Sequence, residues 1–203
     1  TLTSENATFT ANVTEDILWR VVRINEDGST RLITENTVGS SAFNTNYNDN
    51  AYVGYMYGTA GSSTYEATHA NTNNSTIKTY LDNWYQENLL SYSSYMSLDA
   101  GFCNDRSIAS TANTWHSWDT ALGYGTNYTG YGADNRSYDL NQPQFACPQT
   151  NDLFTTTTSS KGNKALTYPV GLITLDEVVY AGGVYGEVNQ NYYLNNNTLY
   201  WTM

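Results

Sequence analysis

The sequence predicts an irregular, loop-rich α+β domain in which antiparallel strands and two or three short helices are set among long turns. Three observations lead there. Residues 18 to 34 carry a hairpin pattern, with two apolar runs flanking the turn residues Asn25 to Gly28. Two segments, at 76 to 90 and from 174 onward, open with helix caps and show no strand alternation. Between these elements Asn, Thr, Ser and Gly dominate, and such residues make turns rather than long regular structure.

The 203 residues suffice for one domain or a tight pair with a real core. We read residues 1–14 as an extended N-terminal arm, since Thr, Phe and Val favour strand and no helical period is present, and 15–203 as a single globular domain. Charged residues make up only 13% of the chain, whereas Tyr and Trp number 19 and 5, so solubility rests on amides and hydroxyls. Eight Lys and Arg against 19 acids give a formal charge of −11, which disfavours nucleic acid and anionic membrane as partners. No apolar run approaches 18 residues, so no membrane insertion within this chain is expected, and any export segment would precede residue 1.

The hairpin pairs Leu18–Ile24 with Ser29–Thr34, and its arginines, Arg20, Arg23 and Arg31, are read as solvated or ion-paired rather than as a ligand site. Alternation over Ala51–Gly58 predicts a strand with an aromatic face, where Gly54 lets a backbone or ring approach. Ser75 caps the longest helix, 76 to 90, whose stripe is Ile77, Tyr80, Leu81, Trp84 and Leu89. The organising stretch is Tyr168–Gly183. A short buried strand there leads into the capping box Thr174–Glu177, and Gly182–Gly183 stop the helix two turns later. Residues 184 to 203 are expected to close the chain as two aromatic strands around Asn196–Asn197.

Cys103 and Cys147 lack neighbouring ligands at metal spacing, and a disulfide is favoured over two buried free thiols. That pairing places the protein outside the cytoplasm. Calcium is the one cofactor considered. Its weak candidates are Asp49, in the oxygen-rich Asn44–Asn50 run, and Asp134 with Asp139, although neither run has a twelve-residue loop closed by Glu. His116, between Trp115 and Trp118, is read as structural, and no catalytic constellation emerges. Asn-x-Ser/Thr sequons at Asn6, Asn12, Asn74, Asn127, Asn135 and Asn196 are expected from composition alone.

Six blocks, WRVVRINEDGSTRLI, SAFNTNYNDNAYVGYMYG, NSTIKTYLDNWYQENL, AGFCNDRS, SSKGNKALTYPVGLITLDEVVYAGG and YWTM, together resemble a family of uncharacterised secreted or surface-anchored proteins from gut-type Firmicutes. The resemblance covers most of residues 18 to 203. It implies a surface context and a closing segment similar to the last strands of the C-type-lectin-like fold shared by formylglycine-generating enzymes and many binding domains. It also implies that this sequence ends at Met203 short of that segment, and the catalytic cysteines of those enzymes have no counterpart here.

Two function classes follow. The first is a non-catalytic extracellular recognition or adhesion module that presents Tyr55, Tyr57, Trp115, Trp118, Tyr192, Tyr193 and Trp201 to a glycan or protein. The second is a subunit of a surface filament or pilus whose partners are copies of itself. There the open edge of the C-terminal strand accepts Thr1–Thr14 of a neighbour. A hydrolase is the weakest class, because no carboxylate pair can be assigned.

Overall fold

A computed structural model describes residues 16–46, 50–60, 62, 64–109, 130–157, 162–183, 186 and 189–203, the side chain of Asp139 excepted. The arm at 1–14, Asp49, Trp115, His116 and Trp118 lie outside the described residues.

The hairpin forms as its sequence dictates. Strand β1 (Trp19–Ile24) pairs antiparallel with β2 (Thr30–Thr34), and Gly28 closes the turn at φ +81°, a conformation costly for any residue with a Cβ. The register shifts between Val21 and Arg23, so Val22 is an extra residue on β1. The three arginines are ion-paired. Arg20 binds Glu35, while Arg31 at 2.8 Å and Arg23 at 3.3 Å both reach Glu177.

Only part of Ala51–Gly58 becomes strand. Asn50–Tyr52 coil into a 3-10 turn, Gly54 takes φ +98°, and the ladder is confined to β3 (Met56–Tyr57) against β4 (Asn73–Asn74). The crowding at Gly54 comes from two side chains and from a backbone oxygen, that of Met56, which would lie 3.1 Å from a Cβ. A Cβ there would lie 2.7 Å from Cδ of Arg106 and 2.9 Å from Oδ1 of Asn104. A short helix α1 (Tyr65–Thr68) bridges the two strands.

Helix α2 (Thr76–Asn88) starts at Ser75, whose hydroxyl accepts from the Lys78 amide and donates to the Tyr55 carbonyl at 2.7 Å, tying the helix to the chain before β3. Ile77 and Leu81 enter the core as their spacing requires, joined by Tyr85 and by Lys78, a residue charge would place outside. The Lys78 ammonium is buried against Asp82 at 2.6 Å and lies 6.0 Å from the Tyr55 ring centre. A 3-10 turn, Leu90–Tyr95, continues from the helix.

The third pair, β5 (Phe102–Cys103) and β6 (Leu153–Phe154), carries the Cys103–Cys147 disulfide. Between them lie α3 (Gly132–Asn135) and a π turn, Arg136–Leu140. Helix α4 (Leu175–Tyr180) has the complete capping box, and Gly182, at φ +103°, ends it in a Schellman motif. There the Gly183 amide donates to Val178 O and the Gly182 amide to Val179 O. The segment before it is extended but pairs with no named strand. Instead Met203 N–H donates to Ile173 O and Leu175 N–H to Met203 O, which seats the buried Met203 in the core with Tyr55, Phe154 and Leu166. The two C-terminal strands expected from the sequence do not form among the described residues. Asn197 sits at φ +58°, and Asn189, Asn195 and Asn196 oxygens each accept the amide two residues on, so local turns outcompete a ladder.

Candidate binding cleft

A cleft of about 1490 Å³ opens among the described residues. Its walls are β2 and the chain to Ser41, the later turns of α2 with Leu90–Tyr95, the extended segment 169–173, and the C-terminal stretch at 199–201.

Each wall is positioned by a physical constraint. On α2, Tyr80 and Trp84 are one turn apart and half-buried, beside the face that carries Ile77 and Leu81 into the core. The Trp84 ring meets Trp19 edge-on at 6.4 Å, and the Tyr80 hydroxyl donates to Val38 O at 3.0 Å. That second contact requires glycine at 39, since a Cβ there would lie 1.8 Å from the Tyr80 oxygen and the backbone is at φ +149°. Trp201 is half exposed but anchored, its indole N–H donating to Ser41 O at 2.9 Å and its ring standing edge-on to Phe43 at 5.7 Å. Tyr200 and Tyr192 share a hydroxyl–hydroxyl bond of 2.8 Å, and burial raises the Tyr200 phenol above its usual range.

The cleft is apolar with an acidic edge. Leu32, Leu199 and Tyr95 are exposed along it, Leu199 at 99%. Its two basic residues are already engaged, Arg20 with Glu35 and Arg31 with Glu177, and burial lowers the pKa of the Arg31 guanidinium. The acids Asp16 and Glu87 border the cleft without a cation beside them among the described residues. Such a surface offers aromatic faces, aliphatic area and negative potential, which is equipment for binding.

The sequence-derived binding residues do not gather in one place. Trp201 lines the cleft, and Tyr193 and Tyr192 are next to it through Arg20 and Tyr200. Tyr55 is a correction: it is wholly buried, edge-on to Phe154 at 5.9 Å, with its hydroxyl donating to Val170 O. Tyr57 is half-buried against Tyr52 and lies outside the cleft lining. Trp19, Trp84 and Leu32 are among the cleft residues that sequence reasoning missed. Trp84 belongs to the apolar stripe of a helix, and nothing in that period separates a core ring from one bordering an opening. Of the calcium candidates, Asp134 lies on α3, and among the described residues no three His, Cys, Asp or Glu side chains are grouped to hold a metal.

Two buried charge clusters lie outside the cleft lining. Arg106 and Asp152 form one, with Asp152 also accepting the Arg106 amide at 2.9 Å. Arg136 forms the other, forked onto Asp176 and paired with Asp105 at 2.7 Å. Burial pulls the Arg136 pKa down, but its bonds to Asp176 and Asp105 outweigh this and leave it raised. His69 is buried nearby, stacked on Tyr65 at 4.0 Å with its Nδ1 2.8 Å from Tyr65 O, and burial together with Arg106 lowers its pKa to about 4.

No family, curated protein or solved structure matches this chain.

Proposed function

We propose that this protein is a non-catalytic recognition or adhesion module of a bacterial surface, C-type-lectin-like in plan, that binds a partner polypeptide in the cleft. The observation that carries this reading is the lining itself. Its aromatic rings are interleaved with aliphatic side chains such as Leu32, Leu89 and Leu199, and its basic residues are consumed internally. A glycan site needs ring faces with a dense set of free hydrogen-bonding groups, whereas aliphatic area with an acidic edge suits apolar side chains flanked by Lys or Arg. The disulfide supports an extracellular setting, and no described helix is long and apolar enough to cross a membrane. Screening against a peptide library and an oligosaccharide array is the test, with Leu199→Asp as the cleft variant, because a side chain 99% exposed can change without disturbing the core. Peptides are expected to bind the native protein and not the variant. Binding of oligosaccharides alone would overturn the reading.

Self-assembly is the second reading, carried by the outward hairpin face on which Val21 and Ile24 are exposed at 47% and 73%. Like charges of −11 on each copy oppose it. A monomer on size exclusion at micromolar concentration would eliminate it.

A further inference from the structure

Strand β2 has an unfilled side. Two hydrogen bonds beyond the ladder fix its alternation: Asn25 N–H to Ser29 O at one end and Glu35 N–H to Leu18 O at the other, both 2.8 Å. In an antiparallel pair the residues that exchange bonds alternate with those whose amides face away. Ser29, Arg31, Ile33 and Glu35 therefore turn their backbone groups toward β1, and Thr30, Leu32 and Thr34 turn theirs outward. The extra residue at Val22 is taken up wholly by β1, so this parity holds along all of β2. No hydrogen bond among the described residues reaches the N–H or C=O of Thr30, Leu32 or Thr34, and all three border the cleft. Protein edges are ordinarily blunted by Lys, Pro or a bulge, and β2 has none of these on its open side.

We propose that β2 accepts an extended segment of a partner protein as a third strand, an inference that rests on the cleft being a polypeptide site. Backbone bonds to Thr30, Leu32 and Thr34 supply the register. Alternate apolar side chains of the incoming strand lie beside Leu32, and basic residues flanking them meet the acids that border the same cleft, Asp16 and Glu87. The chemistry recognised is thus an extended apolar run of about five residues bracketed by Lys or Arg. A second copy of this chain is disfavoured as occupant by the net charge of −11 that each copy carries.

The probe is the acetylated, amidated heptapeptide Lys-Val-Thr-Val-Thr-Val-Lys. It is used unmodified, N-methylated along one edge, and N-methylated along both. Strand addition needs one free peptide edge, so the first two forms should bind and the third should lose at least ten-fold in affinity. Amide exchange at Thr30, Leu32 and Thr34 should slow at least ten-fold with the unmodified peptide, while Arg31 and Ile33, already in the ladder, change little. Leu32→Pro removes an amide the ladder does not use and should weaken binding similarly, and the peptide series decides the matter if that variant does not fold. Equal binding of all three peptides without new protection would overturn strand addition and leave the cleft reading intact. No peptide bound while oligosaccharides bind would overturn both. Protection of the three amides that rises with protein concentration alone would assign the edge to a second copy and overturn the proposal.

Discussion

Replacing Arg106 with methionine isolates what the buried ion pair contributes. The guanidinium, 1% exposed, donates to Asp152 Oδ1 at 2.8 Å, to Met56 O at 2.8 Å and to Asn71 Oδ1 at 2.9 Å, so one side chain joins β3, the loop before β4 and the approach to β6. Its loss strands the carboxylate of Asp152, which is fully buried. Leaving one charge of a buried pair uncompensated costs about 3–5 kcal/mol. For a chain of this length each kcal/mol moves the midpoint by about 2–4 °C, so Arg106→Met should lower Tm by about 6–20 °C. The pH dependence sharpens the test. Burial already raises the Asp152 pKa against the opposing pull of Arg106, and without Arg106 it rises further. A carboxyl whose folded pKa lies above its unfolded value carries its full penalty above the folded value and sheds it as pH falls toward about 4. The deficit relative to the native protein should therefore shrink on acidification. The double variant Arg106→Met/Asp152→Leu should recover part of the loss, because no charge is left stranded. Near-ultraviolet circular dichroism on melting reads all of this through the 19 tyrosines. A double variant less stable than the single one, or a single deficit below about 1 kcal/mol, would refute the stranded-charge reasoning.

Acid should also weaken the fold through His69. Its folded pKa of about 4 lies below the ordinary 6.5, so the unfolded chain takes up the proton first. Stability is full above about pH 6.5, falls on the order of 2 kcal/mol as pH drops toward 4 and then levels, and His69→Phe should flatten that window in Tm against pH. Reducing the Cys103–Cys147 bond opens a loop with a sequence separation of 44 and should cost about 4 kcal/mol on the chain-entropy account. Non-reducing mass spectrometry of the native protein, in which two alkylatable thiols would contradict the bond, checks its presence first. Thr174→Ala removes the hydroxyl that accepts from Glu177 N–H at 3.1 Å and should cost about 1 kcal/mol in denaturant unfolding. Peptide affinity should not change, and a loss of affinity at unchanged stability would mean that the cap is part of the site.

What the sequence makes legible is local. The hairpin turn at Gly28, the Ser75 cap and the box at Thr174 with its glycine stop are each written within a few adjacent residues, and each forms where it is read. What is not legible depends on distant partners. Alternation over Ala51–Gly58 reads as strand, yet Arg106 and Asn104, about 50 residues on, crowd Gly54 and the chain turns there. The terminal Tyr and Trp residues have strand propensity, but the side-chain oxygens of Asn189, Asn195 and Asn196 bind the backbone locally. A charged residue such as Lys78 reads as surface until Asp82 and the Tyr55 ring are seen around it. The cleft is invisible for the same reason. Trp19 and Leu32 of the hairpin, Trp84 of α2 and Trp201 come from three separate stretches and border one cleft only after folding.

The capping box shows how one local motif can set the geometry of the cleft. Glu177 accepts the Thr174 amide at 3.0 Å, as the sequence predicts, but its other oxygen holds Arg31 at 2.8 Å and Arg23 at 3.3 Å on the hairpin. Arg31 is further fixed by donating to Gly101 O at 3.1 Å and by lying 4.2 Å over the Phe102 ring. On a strand, the residue that sends its side chain to one face also sends its amide to one edge, and its neighbour does the reverse. Seating the Arg31 side chain against Glu177 therefore decides that the amides of Thr30, Leu32 and Thr34 turn away from β1 to the open edge. A slip of one residue would put Leu32 against a buried carboxylate and leave that charge with Arg23 alone, its longer partner at 3.3 Å. A buried pair need not add net stability over an apolar substitute, and its effect here is to select one register of β2, which decides that Thr30, Leu32 and Thr34 are the residues whose amides turn to the open edge.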